Sequence, residues 1–239
     1  VASVTELIEI QDDLESKIDS VVDMDERLER LEKDRLKFSD AVLKTGRLLH
    51  KQRQKTLPLL KQQLESYLAE LGLPNARFKF ELIASENFRK NGTDSLELLF
   101  TANKGLSFGS LKKIASGGEM SRIMLSVKAI LARYKKLPTI IFDEIDTGVS
   151  GEIANQMARI MGEMSHSTQL LSITHLPQIA AKGEYHIKVY KEDVNDVTRT
   201  LLSVLNDNER IVEIAQMIGG NNVTDAAIAN AKELLNNTN

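Results

Sequence analysis

The stretch ASGGEMSRIMLSVKAIL (Ala115–Leu131), followed by TIIFDEIDTGVSG (Thr139–Gly151) and LLSITH (Leu170–His175), decides how this chain folds. Ser116-Gly117-Gly118-Glu119 opens a segment in which Met120, Ile123, Met124, Val127, Ile130, Leu131 and Tyr134 recur at spacings of three and four, the mark of a helix with one buried face. Thr139 to Phe142 is a short continuous apolar run, as expected of a strand buried on both faces, and Gln169 to Ile173 is a second. Gly151 to about Met164 reads as a helix between them. A strand, a helix and a strand within so short a span dictate parallel strands joined by a right-handed crossover.

In an open parallel sheet, ligands sit beyond the carboxyl ends of the strands. Asp143 leaves the first strand at that edge, where it can orient a magnesium ion directly or through a water. Glu144, one residue on, points elsewhere, toward a water that must lose a proton. His175 leaves the second strand at the same edge, where an imidazole can hydrogen-bond a phosphate oxygen and a bound water. Ser116, Gly117 and Gly118 open a helix whose unpaired N–H groups and partial positive charge suit an anion; the glycines let backbone approach it, and Ser116 adds a hydroxyl. Singly, each has a plainer reading: a polar strand exit, a structural histidine, a glycine-rich turn with a serine cap. Their fixed order at these spacings joins them into one site. One part is missing. No G-x-x-x-x-G-K-[ST] loop occurs, because Gly105-Leu106-Ser107-Phe108-Gly109 is followed by Ser110-Leu111 and lacks the lysine. The cradle for the other phosphates must come from elsewhere.

Outward from this unit, Val1 to about Thr56 contains one glycine, Gly46, and no proline. With Leu7 as position a of a heptad, the a series is Leu7, Leu14, Val21, Leu28, Arg35, Val42, Leu49, and the d series is Ile10, Lys17, Met24, Leu31, Phe38, Thr45, Gln52. A repeat of this period argues a left-handed coiled coil whose partner helix comes from another copy or another segment, since no second heptad run follows. Leu57-Pro58 is expected to end this arm, and Leu59 to Leu71 to form a shorter helix closed by Gly72 and Pro74. Phe78, Phe80 and Leu82, then Leu96, Leu98 and Phe100, alternate around Asn91-Gly92 and suggest an antiparallel pair, with a link longer than a tight hairpin. Gly105 to Lys113 reads as a loop. Tyr185 to Tyr190 and Thr198 to Val204 read as strands, Asn206 to Ile218 as a helix closed by Gly219-Gly220, and Thr224 as the N-cap of a last helix.

Composition narrows the class. The 239 residues carry a net charge of −3 and no cysteine, which rules out disulfides and thiolate metal sites and fits a reducing compartment. No apolar run is long enough to span a membrane. The first residue is not Met, which suggests a fragment or a processed chain. Charge is unevenly placed: residues 1–40 hold 13 acidic and 6 basic side chains, whereas residues 41–63 hold Lys44, Arg47, Lys51, Arg53, Lys55 and Lys61 and no acid. That run is either a solvated helix face or a contact for a phosphate backbone.

Signature loop, Walker B strand, D-loop and switch histidine in this order resemble the heads of ABC-type ATPases. A coiled coil leading into them without a P-loop resembles the C-terminal half of an SMC-like protein. The wording of Ala115–Leu131, IIFDEIDTGVSG (Ile140–Gly151), ITHLPQIAA (Ile173–Ala181), LGLPNARF (Leu71–Phe78) and NERIVEIAQMIGG (Asn208–Gly220) is similar to the RecN family of bacterial DNA-repair proteins. Cohesin-type and Rad50-type heads usually carry Leu-Asp in the D-loop instead. The resemblance implies an α/β fold, the C-terminal half of an ABC-type (P-loop NTPase) ATPase head, with a long N-terminal coiled-coil helix; the arm is residues 1–56 and the lobe 57–239. It implies that Asp143 helps bind Mg2+, that Glu144 is the general base and that His175 contacts the γ-phosphate of ATP. Asp146 would couple the two sites of a head dimer, and Ser116, Gly117 and Gly118 would cap the γ-phosphate of ATP held by the opposite head. The implied partners are the N-terminal Walker A half of the same protein, a second copy joined through ATP-bridged heads, and DNA, with no membrane; the implied place is the cytoplasm, at the nucleoid. ATP hydrolysis in the full-length dimer, serving repair of double-strand breaks and recombination, is the implied activity, with this chain alone inactive. The alternative is an assembly module of another SMC-like or Rad50-like complex without hydrolysis of its own.

Overall fold

The structure, a computed structural model, describes residues 3–135, 137–149, 151–194, 197–220 and 222–236, without the side chains of residues 19–23, 86 and 194. The side chain of Val21, in the a series, and Ser150, in the loop after the first parallel strand, therefore lie outside the described residues. The elements, in chain order, are α1 Val4–Glu70, β1 Arg77–Arg89, β2 Gly92–Thr101, β3 Gly109–Ser110, α2 Leu111–Ile114, α3 Gly117–Tyr134, β4 Thr139–Asp143, α4 Glu152–Ser165, β5 Gln169–Ile173, α5 Pro177–Lys182, β6 Ile187–Val194, β7 Val197–Val204, α6 Asp207–Gly219 and α7 Asp225–Asn236.

Two compact units are present, one of Val1–Leu57 with Leu82–Glu97, the other of Pro58–Glu81 with Leu98–Asn239. The helix break expected at Leu57-Pro58 does not occur, because Pro58 lies inside α1. A single proline removes one backbone hydrogen bond from the helix, and the change from one unit to the next falls at this residue. The helix runs on to Glu70, and Gly72, with a φ of 79°, turns the backbone so that the Leu73 N–H returns to the Leu68 carbonyl at 2.8 Å.

In the first unit the heptad residues are open: Leu14 is 53% exposed and Leu28 59%. At the foot of the helix the outer part of the β1–β2 ribbon lies against α1. A Cβ on Gly46 would stand 2.8 Å from Thr93 Oγ1, so a side chain at the one glycine of the arm would collide with the ribbon. Next to it Asp94 is buried and joined to His50 and Arg53. The link between β1 and β2 is only Lys90-Asn91, tighter than expected, and so short a link leaves only an antiparallel pairing.

The second unit has a core built from Leu68 and Leu71 of α1, Phe78, Phe100, Leu125, Met157 and Ile160. The Phe78 and Phe100 rings, on neighbouring strands, are 5.2 Å apart. The segment expected as a loop over Gly105 to Lys113 contains β3, which pairs antiparallel with β2, and the start of α2. β4 and β5 pair in parallel with Asp143 opposite Ile173. Burial along β4 alternates instead of covering both faces: Ile140 and Phe142 enter the core, while Ile141 is 65% exposed, with Leu171 at 43% and Ile173 at 55% on β5. Among the described residues this sheet has two strands, and the continuous apolar run marks a second face that the described residues leave largely open. β6 and β7 form an antiparallel ribbon. A smaller core of Ala181, Ile214, Ala215, Ala227 and Ala231 joins α5, α6 and α7. Asn206 caps α6 in a capping box with Glu209, and the Thr224 hydroxyl accepts from the Ala227 N–H at 3.2 Å at the start of α7.

Candidate functional site

The site is built at the carboxyl edge of β4 and β5. Glu144 N–H donates to the Ile173 carbonyl at 3.1 Å, extending the parallel ladder one residue past Asp143. Both carboxylates are exposed at this edge. They line a cleft of about 420 Å³ together with Gly117, Ser121, Met124 and Lys128 of α3 and Ile141 of β4. Among the described residues Glu144 is the one non-glycine with a positive φ, 47°. Its carbonyl accepts from the Thr147 N–H at 3.2 Å and the Thr147 hydroxyl at 2.9 Å, which hold the turn. A left-handed residue that is not glycine costs free energy and persists where its surroundings impose it, often at functional sites.

Ser116 is the N-cap of α3. Its hydroxyl accepts from the Glu119 N–H at 3.4 Å while the Glu119 carboxylate accepts from the Ser116 N–H at 2.8 Å, a reciprocal capping box. Ser116 and Gly117 are exposed. A Cβ on Gly118 would stand 3.7 Å from the Gly148 carbonyl oxygen, so this loop runs beside the loop that follows β4. Arg122 ties it down, donating from Nε to the Gly118 carbonyl at 3.0 Å and from Nη1 to the Leu71 carbonyl at 3.1 Å.

His175 leaves the end of β5 with its side chain 62% exposed. Its Nδ1 lies 3.9 Å from Oδ1 of Asp146, which is fully buried. The other Asp146 oxygen, Oδ2, accepts from the Thr174 hydroxyl. The structure thus gathers Asp143, Glu144 and Gly117 around one cleft, flanks Gly117 with Ser116 and Gly118, and sets His175 on the neighbouring strand end outside that lining. Asp146 lies beneath the surface beside His175.

Lys128 is a cleft residue that reading the sequence passed over. The spacing of Gly117, Ser121, Met124 and Lys128 at four, three and four along α3 was the signal that could have found it. Thr174 stood in plain view within LLSITH, but nothing local pairs it with a carboxylate 28 positions away. Among the described residues no group of three or more metal-ligating side chains occurs. A cation here would be held by Asp143 together with ligand oxygens.

A long helix leading into a parallel β4–β5 unit is an arrangement shared with Smc head domains. The chain matches the Smc head domain with a coiled coil and joint from Pyrococcus yayanosii at a TM-score of 0.53 and 21% identity, over 89% of this chain and 36% of that one. It matches the Smc head domain with an extended coiled coil, bound to the C-terminal domain of ScpA, from Pyrococcus furiosus at 0.53 and 20%, over 88% and 51%. Within that class the chain belongs to the RecN family. It is 32% identical over 231 residues to DNA repair protein RecN of Haemophilus influenzae, covering 96% of this chain and 41% of that protein. To DNA repair protein RecN of Halalkalibacterium halodurans it is 34% identical over 237 residues, covering 98% and 42%. The chain thus spans about two fifths of the length of these relatives. No family model matches it.

Proposed function

We propose that this chain contributes the signature loop, the Walker B carboxylates and the switch histidine to a composite ATP site, in a RecN-type protein that hydrolyses ATP during repair of DNA double-strand breaks and recombination. The observation that carries this reading is the shared sheet edge. Asp143 and Glu144 open from β4 into a cleft with Gly117, and His175 leaves the parallel neighbour β5 at the same end.

The residues suit the groups they would meet. Mg2+ is commonly held by one or two carboxylates plus phosphate oxygens, and an exposed Asp143 at the mouth of a cleft fits that need. Bound there with the nucleotide, Mg2+ would neutralise charge on the phosphates. Glu144, one residue beyond, would take a proton from an attacking water. Exposed His175 would hydrogen-bond the γ-phosphate. Ser116, Gly117 and Gly118 present a helix N-terminus at the surface, suited to capping the γ-phosphate of ATP held by a second head. Two heads would then close on ATP and part on hydrolysis.

The missing phosphate cradle would come from the N-terminal part of the same protein. Three features support this: no P-loop motif in the sequence, relatives more than twice as long, and the open apolar face of Ile141, Leu171 and Ile173. For DNA, Lys44, Arg47, Lys51 and Lys55 offer exposed cations at spacings of three, four and four, one side of α1. Arg53 and Lys61, from the same basic run, face Asp94 and Glu65 instead. Such a protein would work in the cytoplasm, at the nucleoid; among the described residues no helix is long and apolar enough to cross a membrane.

The test is ATP turnover by the full-length protein carrying Glu144→Gln. Loss of a positioned general base should slow hydrolysis by on the order of 10²-fold or more while ATP still binds. Turnover at the unsubstituted rate would remove Glu144 from the chemistry. The chain by itself should bind ATP weakly and hydrolyse little.

A further inference from the structure

We propose that Asp146 is a positioning residue for His175 of the same chain, holding the imidazole in one tautomer, and is not a group that reaches the nucleotide or a second head. This rests on the ATP-site reading of His175 given above.

A residue that couples two heads by contact must be reachable, and Asp146 has no exposed surface. It is instead the hub of a short relay across the two strand exits. The Leu176 N–H donates to Thr174 Oγ1 at 3.0 Å. With its lone pair so engaged, the Thr174 hydroxyl turns its proton to Asp146 Oδ2. The Asp146 carbonyl accepts from the Val149 N–H at 3.1 Å, closing the loop after β4 around it. The loop after β4 and the turn after β5 are therefore tied through one buried carboxylate.

Its second oxygen is unfinished. Oδ1 is buried and has no hydrogen-bond partner among the described residues, a costly condition that folded proteins seldom leave standing. A group that can satisfy it is already adjacent: His175 Nδ1, 3.9 Å away on a side chain that is 62% exposed and so has room to turn. An approach of roughly 1 Å brings the pair into hydrogen-bond range. With the Nδ1 proton committed to Asp146, Nε2 is the nitrogen left for the open sheet edge. A buried aspartate that fixes the tautomer of an exposed histidine is a recurring arrangement, and its loss acts through the histidine.

The experiment uses the full-length protein with 15N-labelled histidine. In the unsubstituted protein the His175 ring should carry its proton on Nδ1; a ring protonated on Nε2 with Nδ1 bare overturns the proposal without any variant. Asp146→Asn should mix the two tautomers and lower kcat for ATP by about 10- to 100-fold, with KM changed less than about threefold. In a His175→Ala background the same substitution should cost less than about threefold more, since the two residues act as one unit. Independent, multiplying losses would overturn it. Should Glu144→Gln leave turnover intact, the ATP-site reading falls, while the ring signals of His175 still decide whether Asp146 holds it.

Discussion

Arg53 of α1 grips Asp94 of the β1–β2 ribbon: its Nη1 donates to Asp94 Oδ2 at 2.8 Å while its Nη2 donates to the Asn91 carbonyl at 2.7 Å. His50 Nδ1 lies 2.7 Å from the other Asp94 oxygen, on a carboxylate side chain only 2% exposed. Burial pushes that carboxyl up, but the hydrogen bonds and charges of Arg53 and His50 outweigh it and hold it below the usual aspartate value. A depressed carboxyl adds stability above its unfolded value of about 4 and loses it as pH falls through the folded value. Asp94→Asn should therefore weaken the seat of the ribbon on the helix by roughly 1–3 kcal/mol near neutral pH, and by less in acid. Denaturant unfolding of both proteins across pH, with proteolysis at Lys90 and Arg89 as the local probe, measures this; a penalty that ignores pH would contradict it.

His186 acts in the same direction on pH, through burial of its ring. Burial, with the nearby Arg210 and Lys188 charges outweighing Glu213, favours the neutral imidazole. Above the unfolded histidine value of about 6.5 both states are neutral and nothing is lost. Below it the unfolded chain binds a proton that the folded chain resists, so stability falls as pH drops. His186→Phe should flatten that slope between about pH 6.5 and 5. Thermal midpoints of the two proteins at several pH values in this window should show the unsubstituted protein falling relative to the variant as pH drops.

Ile141 tests how the sheet is completed. Its side chain is 65% exposed on the open face of β4, so Ile141→Asp should alter the stability of this chain by no more than about 0.5 kcal/mol. If the N-terminal part of the protein covers that face, the same substitution buries a carboxylate there, and the two parts expressed as separate chains should no longer associate. Association unchanged by Ile141→Asp would place the missing part on another surface.

For the arm, reversing Lys44, Lys51 and Lys55 to Glu in the full-length protein should lower DNA affinity and flatten its dependence on salt. Each phosphate contact contributes about 0.9 to the slope of log K against log salt, so losing three should reduce it by roughly 2.7. Arg53→Glu should not mimic this, since Arg53 serves Asp94; its effect belongs to the ribbon. A slope unaltered by the triple reversal would exclude this face of α1.

Several of these residues could be found without coordinates, and the reason is periodicity. Asp143, Glu144 and His175 each follow a short apolar run that ends at a polar residue, and the parallel pairing of those runs follows from the intervening helix. The capped helices beginning at Ser116, Asn206 and Thr224 announce themselves by local hydrogen-bonding residues. Other features depended on neighbours distant in sequence. A continuous apolar run at Ile140 to Phe142 promised two covered faces, yet one is open, because the partner that would cover it is not a local property. Pro58 read as a stop, yet one lost hydrogen bond did not end a helix as long as α1.

What the amino-acid order alone determined is the set of elements and the edge at which the reactive side chains emerge, because strand, helix and cap preferences act over a few residues. Only the tertiary structure decided that Asp146 is buried under His175, that Lys128 shares a cleft with the acid pair, and that Gly46 makes room for Thr93. Each of those facts is a contact across a gap in the chain, set by how whole elements pack; no window of neighbouring residues contains it.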